Sequence, residues 1–242
     1  MIKKFLALAF VPLIIFSLCA FEPQASLETS PEASLEAPLE MPRKEIALTF
    51  DDGPHAKYTP MILDVLAKYN AKATFFMLGD RVKAHENIVR RIAAEGHEIG
   101  NHTFTHLELT GSESRVIANE LDRANAVITE VTGKTPVLMR PPTGSHSKRT
   151  DALAAERGMS VILWDIDPFD WKYLDSDRTY NYVMKRAKPG SIILMHDFYA
   201  ATVDATDRLL KTLTEQGYKF VTVSEMLENP EPGKVYKADM TN

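Results

Sequence analysis

The chain has one cysteine in 242 residues, Cys19, and it lies within the first twenty positions. The rest can form no disulfide, so the fold must stand on its own core and needs no oxidising environment. Basic residues number 28 against 33 acidic ones, a net charge of −5, and no long basic run follows the first few positions. That excludes nucleic acid as the expected partner, because neutralising phosphates needs clustered lysine and arginine. The uncharged apolar run over residues 5–20 is shorter than the roughly 20 residues a membrane-spanning helix prefers.

What the first residues do carry is a secretory pattern. Lys3 and Lys4 precede the apolar run, and small residues close it near Cys19-Ala20. Residues 1–20 are therefore expected to be a signal peptide of an exported protein, touching a membrane only through this segment if it stays uncleaved. Leu18 stands where a small residue would precede a lipidated cysteine, which argues against lipid attachment. Residues 21–44 are rich in Glu, Pro, Ser and Ala. Glu28, Glu32, Glu36 and Glu40 recur at helical spacing, but Pro31 and Pro38 interrupt it, so a solvated linker is expected. Residues 45–242 remain, about 200 residues, enough for one domain with a real core.

Within that domain, strand-like runs cover residues 46–50, 74–78, 98–100, 137–139, 160–164, 192–195 and 220–223. Helical patterns fall between them at 59–69, 81–95, 113–132, 148–157, 179–187 and 202–216, the second and third ending at Gly96 and Gly133. Such alternation predicts an α/β fold, a parallel sheet with helices outside it. The notable polar residues come directly after strands: Asp51 and Asp52, His102 and His106, Arg140, then Asp167, Asp170 and Trp171, then His196 and Asp197. In barrels of this kind the site forms at the C-terminal ends of the strands.

Asp51-Asp52-Gly53-Pro54 places two carboxylates side by side, and His102-Thr-Phe-Thr-His106 places two imidazoles four residues apart. One aspartate with two histidines leaves a metal ion an open coordination position, as catalytic zinc sites do. The other aspartate is then free to act as a base, which points to a metal-dependent hydrolase. An Asp-Asp pair alone would be a turn or helix cap, and His-x3-His alone an incidental surface pair. Their concurrence behind separate strands is what decides. His85 and His97 are expected to be structural, as is Asp197; His55 and His146 are weaker candidates for substrate contact.

Five ordered motifs, Thr49–Pro54, His102–His106, Arg140-Pro-Pro-Thr-Gly144, Asp167-Pro-Phe-Asp-Trp171 and Ile192-Ile-Leu-Met-His-Asp197, together resemble the polysaccharide deacetylase family, also called the NodB-homology or carbohydrate esterase family four domain. The resemblance spans roughly residues 45–227. It implies a distorted (β/α) barrel of seven or eight parallel strands. It also implies that Asp52, His102 and His106 hold a divalent metal, most often zinc, with cobalt, nickel or iron as alternatives. Asp51 would take the proton of the attacking water, and Arg140 would hold Asp51 charged. His196 would protonate the departing amine, oriented by Asp170. Trp171 and Leu194 would wall the acetyl group and sugar, and the loop at Pro142 and Thr143 would bind substrate, the Thr143 N–H serving the oxyanion.

Relatives usually carry an aromatic residue where Thr143 stands and Asn or Asp where Ser147 stands. The implied activity is removal of N-acetyl groups from N-acetylglucosamine units of a glycan, with peptidoglycan or a chitin-like polymer as the acetylated partner. O-deacetylation of xylan, small-amide hydrolysis and a glycan-binding pseudoenzyme are the alternatives.

Overall fold

The computed structural model describes residues 43–237; the expected signal segment, nearly all of the expected linker and the last five residues lie outside them. The strands are β1 (Glu45–Asp51), β2 (Ala73–Met77), β3 (Glu98–Asn101), β4 (Leu138–Met139), β5 (Ser160–Ile162), β6 (Ile192–His196), β7 (Lys219–Phe220) and β8 (Val235–Tyr236). The helices are α1 (Tyr58–Lys68), α2 (Gly79–Ala84), α3 (Glu86–Ala94), α4 (Ser114–Thr132), α5 (Lys148–Ala155), α6 (Asp170–Tyr173), α7 (Ser176–Met184), α8 (Ala200–Glu215) and α9 (Val223–Met226), with a 3-10 turn at Pro142–Gly144.

All the strand pairings are parallel, in the order β6-β1-β2-β3-β4-β5-β8, with β7 beside β1. The sheet curls until Ile166, just beyond β5, bridges Ile193 in β6. This is the distorted barrel expected from the sequence. Parallel strands covered on both faces read as continuous apolar runs, and β1 is buried from Ile46 to Asp51. Its alternate residues divide the two faces. Ile46, Leu48 and Phe50 join the large core cluster with α1, α3 and α8, and Ala47 joins a smaller cluster with Phe76, Ile192, Val223 and Met226. The β1–β6 register sets Ala47, Thr49 and Asp51 beside Ile192, Leu194 and His196. One face of the β1–β6 pair thus runs from apolar packing to two ionisable groups at the strand ends.

Several elements differ from the sequence-based expectation, among them α6 and β8, which the sequence reading did not include. The helix over 81–95 is broken at His85 (φ −138°, ψ 39°) into α2 and α3, both of which pack on α4 and send Val82, Ile88, Val89 and Ile92 into the main core. The strand expected at 220–223, β7, stops at Phe220 because Thr222 and Glu225 form a reciprocal capping box that starts α9. The helix expected at 179–187 starts earlier, at Ser176, where Asp175 accepts the Arg178 N–H. Gly133 caps α4 in the left-handed conformation (φ 71°), as expected. No helix among the described residues is long and apolar enough to cross a membrane.

Candidate active site

Adjacent in sequence, Asp51 and Asp52 are separated in purpose by backbone conformation. Asp51 is the last residue of β1 and is 3 % exposed. Its Oδ1 accepts from Arg140 at 2.8 Å. Asp52 has φ 72°, which swings its carboxylate away to the histidine loop. There its Oδ1 lies 3.4 Å from His102 Nε2 and 3.3 Å from His106 Nε2, buried and without a hydrogen-bond partner among the described residues. A tetrahedral ion bonded to its donors at about 2.0–2.1 Å holds them about 3.3 Å apart. An orphaned buried oxygen facing two imidazole nitrogens at that spacing fits a divalent metal. Burial works to raise the Asp52 carboxyl, but the neighbouring histidines outweigh it and bring it down to about 2. Burial, helped by His102, lowers His106 and so favours its neutral, ligating form.

The histidine loop is held from α4. Glu120 accepts the N–H groups of Phe104 (3.0 Å) and Thr105 (2.8 Å), and Asn101 accepts that of Thr103 while donating to Leu121 and Asn125. His102 Nδ1 donates to the Arg140 carbonyl at 2.8 Å, which leaves Nε2 free to ligate. Arg140 itself is fully buried. Its guanidinium donates to Asp51, Thr49 Oγ1 and the carbonyls of Ile162 and Leu163, and lies 4.2 Å from the centre of the Phe76 ring.

Opposite Asp51, His196 Nδ1 and Asp170 Oδ1 are 2.8 Å apart. Asp170, wholly buried, also accepts the His196 N–H (2.9 Å) and Thr202 Oγ1 (2.6 Å). Burial works to lower His196, but the bond and charge of Asp170, with Asp51 and Asp52 nearby, push it up to about 9.

These groups open onto a cavity of about 420 Å³. It brings together eight of the expected residues: Asp51, Asp52, His102, His106, Thr143, Trp171, Leu194 and His196. Arg140 and Asp170 stand behind their partners, and Pro142 is buried in its turn and does not line the cavity. Trp164 and Tyr199 also line it and carried no signal in the sequence. Phe169 and Asp167, both in the fourth motif but given no role there, line it too, and Asp167 accepts the Phe169 N–H at 2.8 Å.

Among the described residues, five of the nine non-glycine residues with positive φ belong to these loops: Asp52, Thr103, His106, Thr143 and Phe169. Such conformations cost on the order of 1–3 kcal/mol each and persist where a site requires them. Thr143 (φ 60°) is unusual for a β-branched residue. Gly144 and Ser145 donate their N–H groups to Pro141 and Pro142, whereas the Thr143 N–H has no acceptor among the described residues. Gly144 cannot be enlarged, since a Cβ would sit 2.8 Å from the Trp164 ring. Ser147 caps α5 by accepting the Thr150 N–H, a role open equally to the Asn or Asp of relatives.

The other histidines make local contacts. His97 Nδ1 accepts the Ala73 N–H, and burial lowers the ring to about 4. His55 accepts N–H groups at the start of α1, and His146 pairs with Asp151. His85 marks the break between α2 and α3 rather than a helix face. Asp197 is fully buried beneath Gly53, accepts from Thr59 Oγ1, and is raised by burial to about 7. Its carboxylate occupies the space a Cβ at Gly53 would need, so the turn after Asp52 requires glycine.

Comparison with known proteins agrees with this geometry. The polysaccharide deacetylase family model matches residues 39–162. A Bacillus cereus peptidoglycan-N-acetylglucosamine deacetylase is 43 % identical over 195 residues, covering 78 % of this chain and 91 % of that protein. The Listeria monocytogenes peptidoglycan-N-acetylglucosamine deacetylase PgdA is 39 % identical over 202 residues, 83 % of this chain but 43 % of its own length, so the chain spans less than half of that relative. The solved structure of peptidoglycan deacetylase PdaC from Bacillus subtilis superposes with a TM-score of 0.73 at 42 % identity, covering 77 % of this chain and 91 % of that one. With the five motifs converging on one cavity at the strand ends, the chain belongs to the polysaccharide deacetylase family.

Proposed function

We propose that this protein is an exported, metal-dependent N-deacetylase that removes acetyl groups from N-acetylglucosamine units of a cell-wall glycan, peptidoglycan first. Residues 1–20 serve as the export signal, 21–44 as linker and 45–242 as the catalytic domain. The observation that carries the reading is the placement, in one cavity, of an arginine-clamped carboxylate, a three-donor metal ring and an imidazole raised to about 9. The relatives named for peptidoglycan deacetylation support the choice of substrate.

Asp52, His102 and His106 would hold the ion, zinc by the donor set of one carboxylate and two imidazoles, although cobalt, nickel and iron accept the same donors. The chemistry such an ion supplies is polarisation of the amide carbonyl and a lowered pKa for the attacking water. Asp51, whose Oδ2 is 3.7 Å from His102 Nε2, accepts the proton of that water as oxygen attacks the acetyl carbon. The Thr143 N–H donates to the oxyanion. His196, charged at neutral pH, gives its proton to the amine nitrogen as the C–N bond breaks, and acetate and a free amine result. Trp171 and Leu194 enclose the acetyl methyl and the sugar ring.

The test is acetate release by the metal-loaded protein from peptidoglycan, chitin oligosaccharides, poly-N-acetylglucosamine and acetylxylan. Release from the N-acetylated glycans is expected; release from acetylxylan alone would replace the amidase reading by an esterase one.

Two further outcomes follow from the geometry. His196 must be protonated to act, so activity should fall on the alkaline side as it loses its proton. Asp170→Asn removes the carboxylate that raises His196, and the alkaline limb of the kcat profile should move to lower pH. An unmoved limb would remove Asp170 from this role. At Thr143, proline would delete the N–H, but its ring fixes φ near −65°, against 60° here, and the loop would break with it. Thr143→Gly keeps the donor and relieves the left-handed strain. It should raise stability by about 1 kcal/mol in urea unfolding and leave turnover within a few-fold. A collapse of turnover would implicate the hydroxyl instead.

A further inference from the structure

One rim of the cavity continues outward as a row of half-buried rings that the deacetylation chemistry does not use. Tyr199 lines the cavity, and Phe198 packs edge-on to it with centroids 6.2 Å apart. His55 meets Phe198 at 4.9 Å, and Tyr58 stacks on His55 at 4.8 Å. The guanidinium of Arg81 lies 4.3 Å from the Phe198 ring centre, and Lys57 Nζ lies 5.2 Å from that of Tyr58. Among the described residues neither cation has a carboxylate partner, whereas Arg90, Arg91, Arg157 and Arg208 are all paired. The side chain of Arg81 is therefore braced on an arene with its fork of donors unspent, the arrangement that suits a carboxylate.

We infer that this rim binds the sugar next to the one that is deacetylated, and that Arg81, assisted by Lys57, holds a carboxylate borne by that neighbouring sugar. The ring faces supply apolar area for a pyranose, and Tyr199 joins the row to the reacting centre. The substrate class is thus an N-acetylated glycan carrying an acid on the adjacent residue, in preference to a neutral homopolymer. The inference rests on the proposed deacetylase reading and narrows it.

The experiment uses the full metal-loaded protein and acetate release from three glycans of equal length. One is a neutral chitooligosaccharide, one an alternating glycan with a carboxylate on every second sugar, and one the methyl ester of the latter. The wild type should show a KM for the carboxylate glycan about ten-fold below that for its ester, the size of one charge-assisted hydrogen bond. Arg81→Gln should erase that ratio. A ratio near one in the wild type, or a preference that survives Arg81→Gln, overturns the inference while deacetylation itself stands. No acetate from any of the three glycans would overturn the parent reading and this one with it. If Arg81→Gln melts early, the wild-type preference measured against rising salt replaces it: it should decline as ions screen the pair, and a salt-independent preference overturns the inference.

Discussion

Asp52→Ala and His102→Ala should each yield a folded protein that retains no stoichiometric metal after dialysis and turns over at least about 10³-fold more slowly, the scale of the several kcal/mol a catalytic ion contributes. The fold should survive because the histidine loop is also tied by Glu120 and Asn101, so that His102→Ala gives up only the Nδ1 bond to the Arg140 carbonyl. Asp52 Oδ1 has no hydrogen-bond partner among the described residues. Asp52→Ala does leave an alanine at φ 72°, a conformation aspartate tolerates better, and gives up the attraction of the neighbouring histidines, so a modest fall in melting temperature without unfolding is expected. Metal content by mass spectrometry, thermal melting and acetate release on the same preparation decide the matter. Full activity in a variant shown to be free of metal would end the metal-dependent reading.

Asp51→Asn should separate holding the ion from using it. The asparagine Oδ1 can still accept from Arg140, so the buried guanidinium keeps its partner and the ligand ring is undisturbed. An amide cannot take a proton from water, and loss of a general base costs typically 10²–10⁴ in rate. Metal content should stay near that of the wild type, KM should change little, and kcat should carry the loss. Near wild-type kcat would exclude Asp51 as the base.

The residues proposed to hold the metal and to act as acid and base were legible as a group because each lies in a short contiguous motif, and the fold brings those motifs to one cavity. The alternation of strand and helix was legible for a different reason: parallel strands are uniformly apolar, and their helices keep a 3.6-residue period. What escaped comes from residues with no local signature. Glu120 looks like any charged helix position until α4 is laid beside the histidine loop, and Trp164 and Tyr199 reach the cavity from two separate loops, after β5 and after β6. The break at His85 escaped because Val82 and Val89 are seven residues apart, read as one helical face, and do enter the same core cluster. The start of α9 was readable in Thr222 and Glu225, but the apolar run through Val223 masked it.

Arg140 enters the site twice, through its carbonyl to His102 and through its guanidinium to Asp51. The proposed base and one proposed metal ligand are thereby referenced to one backbone position at the end of β4 rather than to two separate loops. Movement of the rim would then leave the spacing between Asp51 and His102 unaltered. Under the proposed roles, the outer loops could vary with the glycan, whereas position 140 could not. Lysine there would keep the carbonyl and a charge but lose the fork that also meets Thr49, Ile162 and Leu163. Efforts to retarget such an enzyme should vary the residues around Tyr199 and Phe169 and leave this anchor alone.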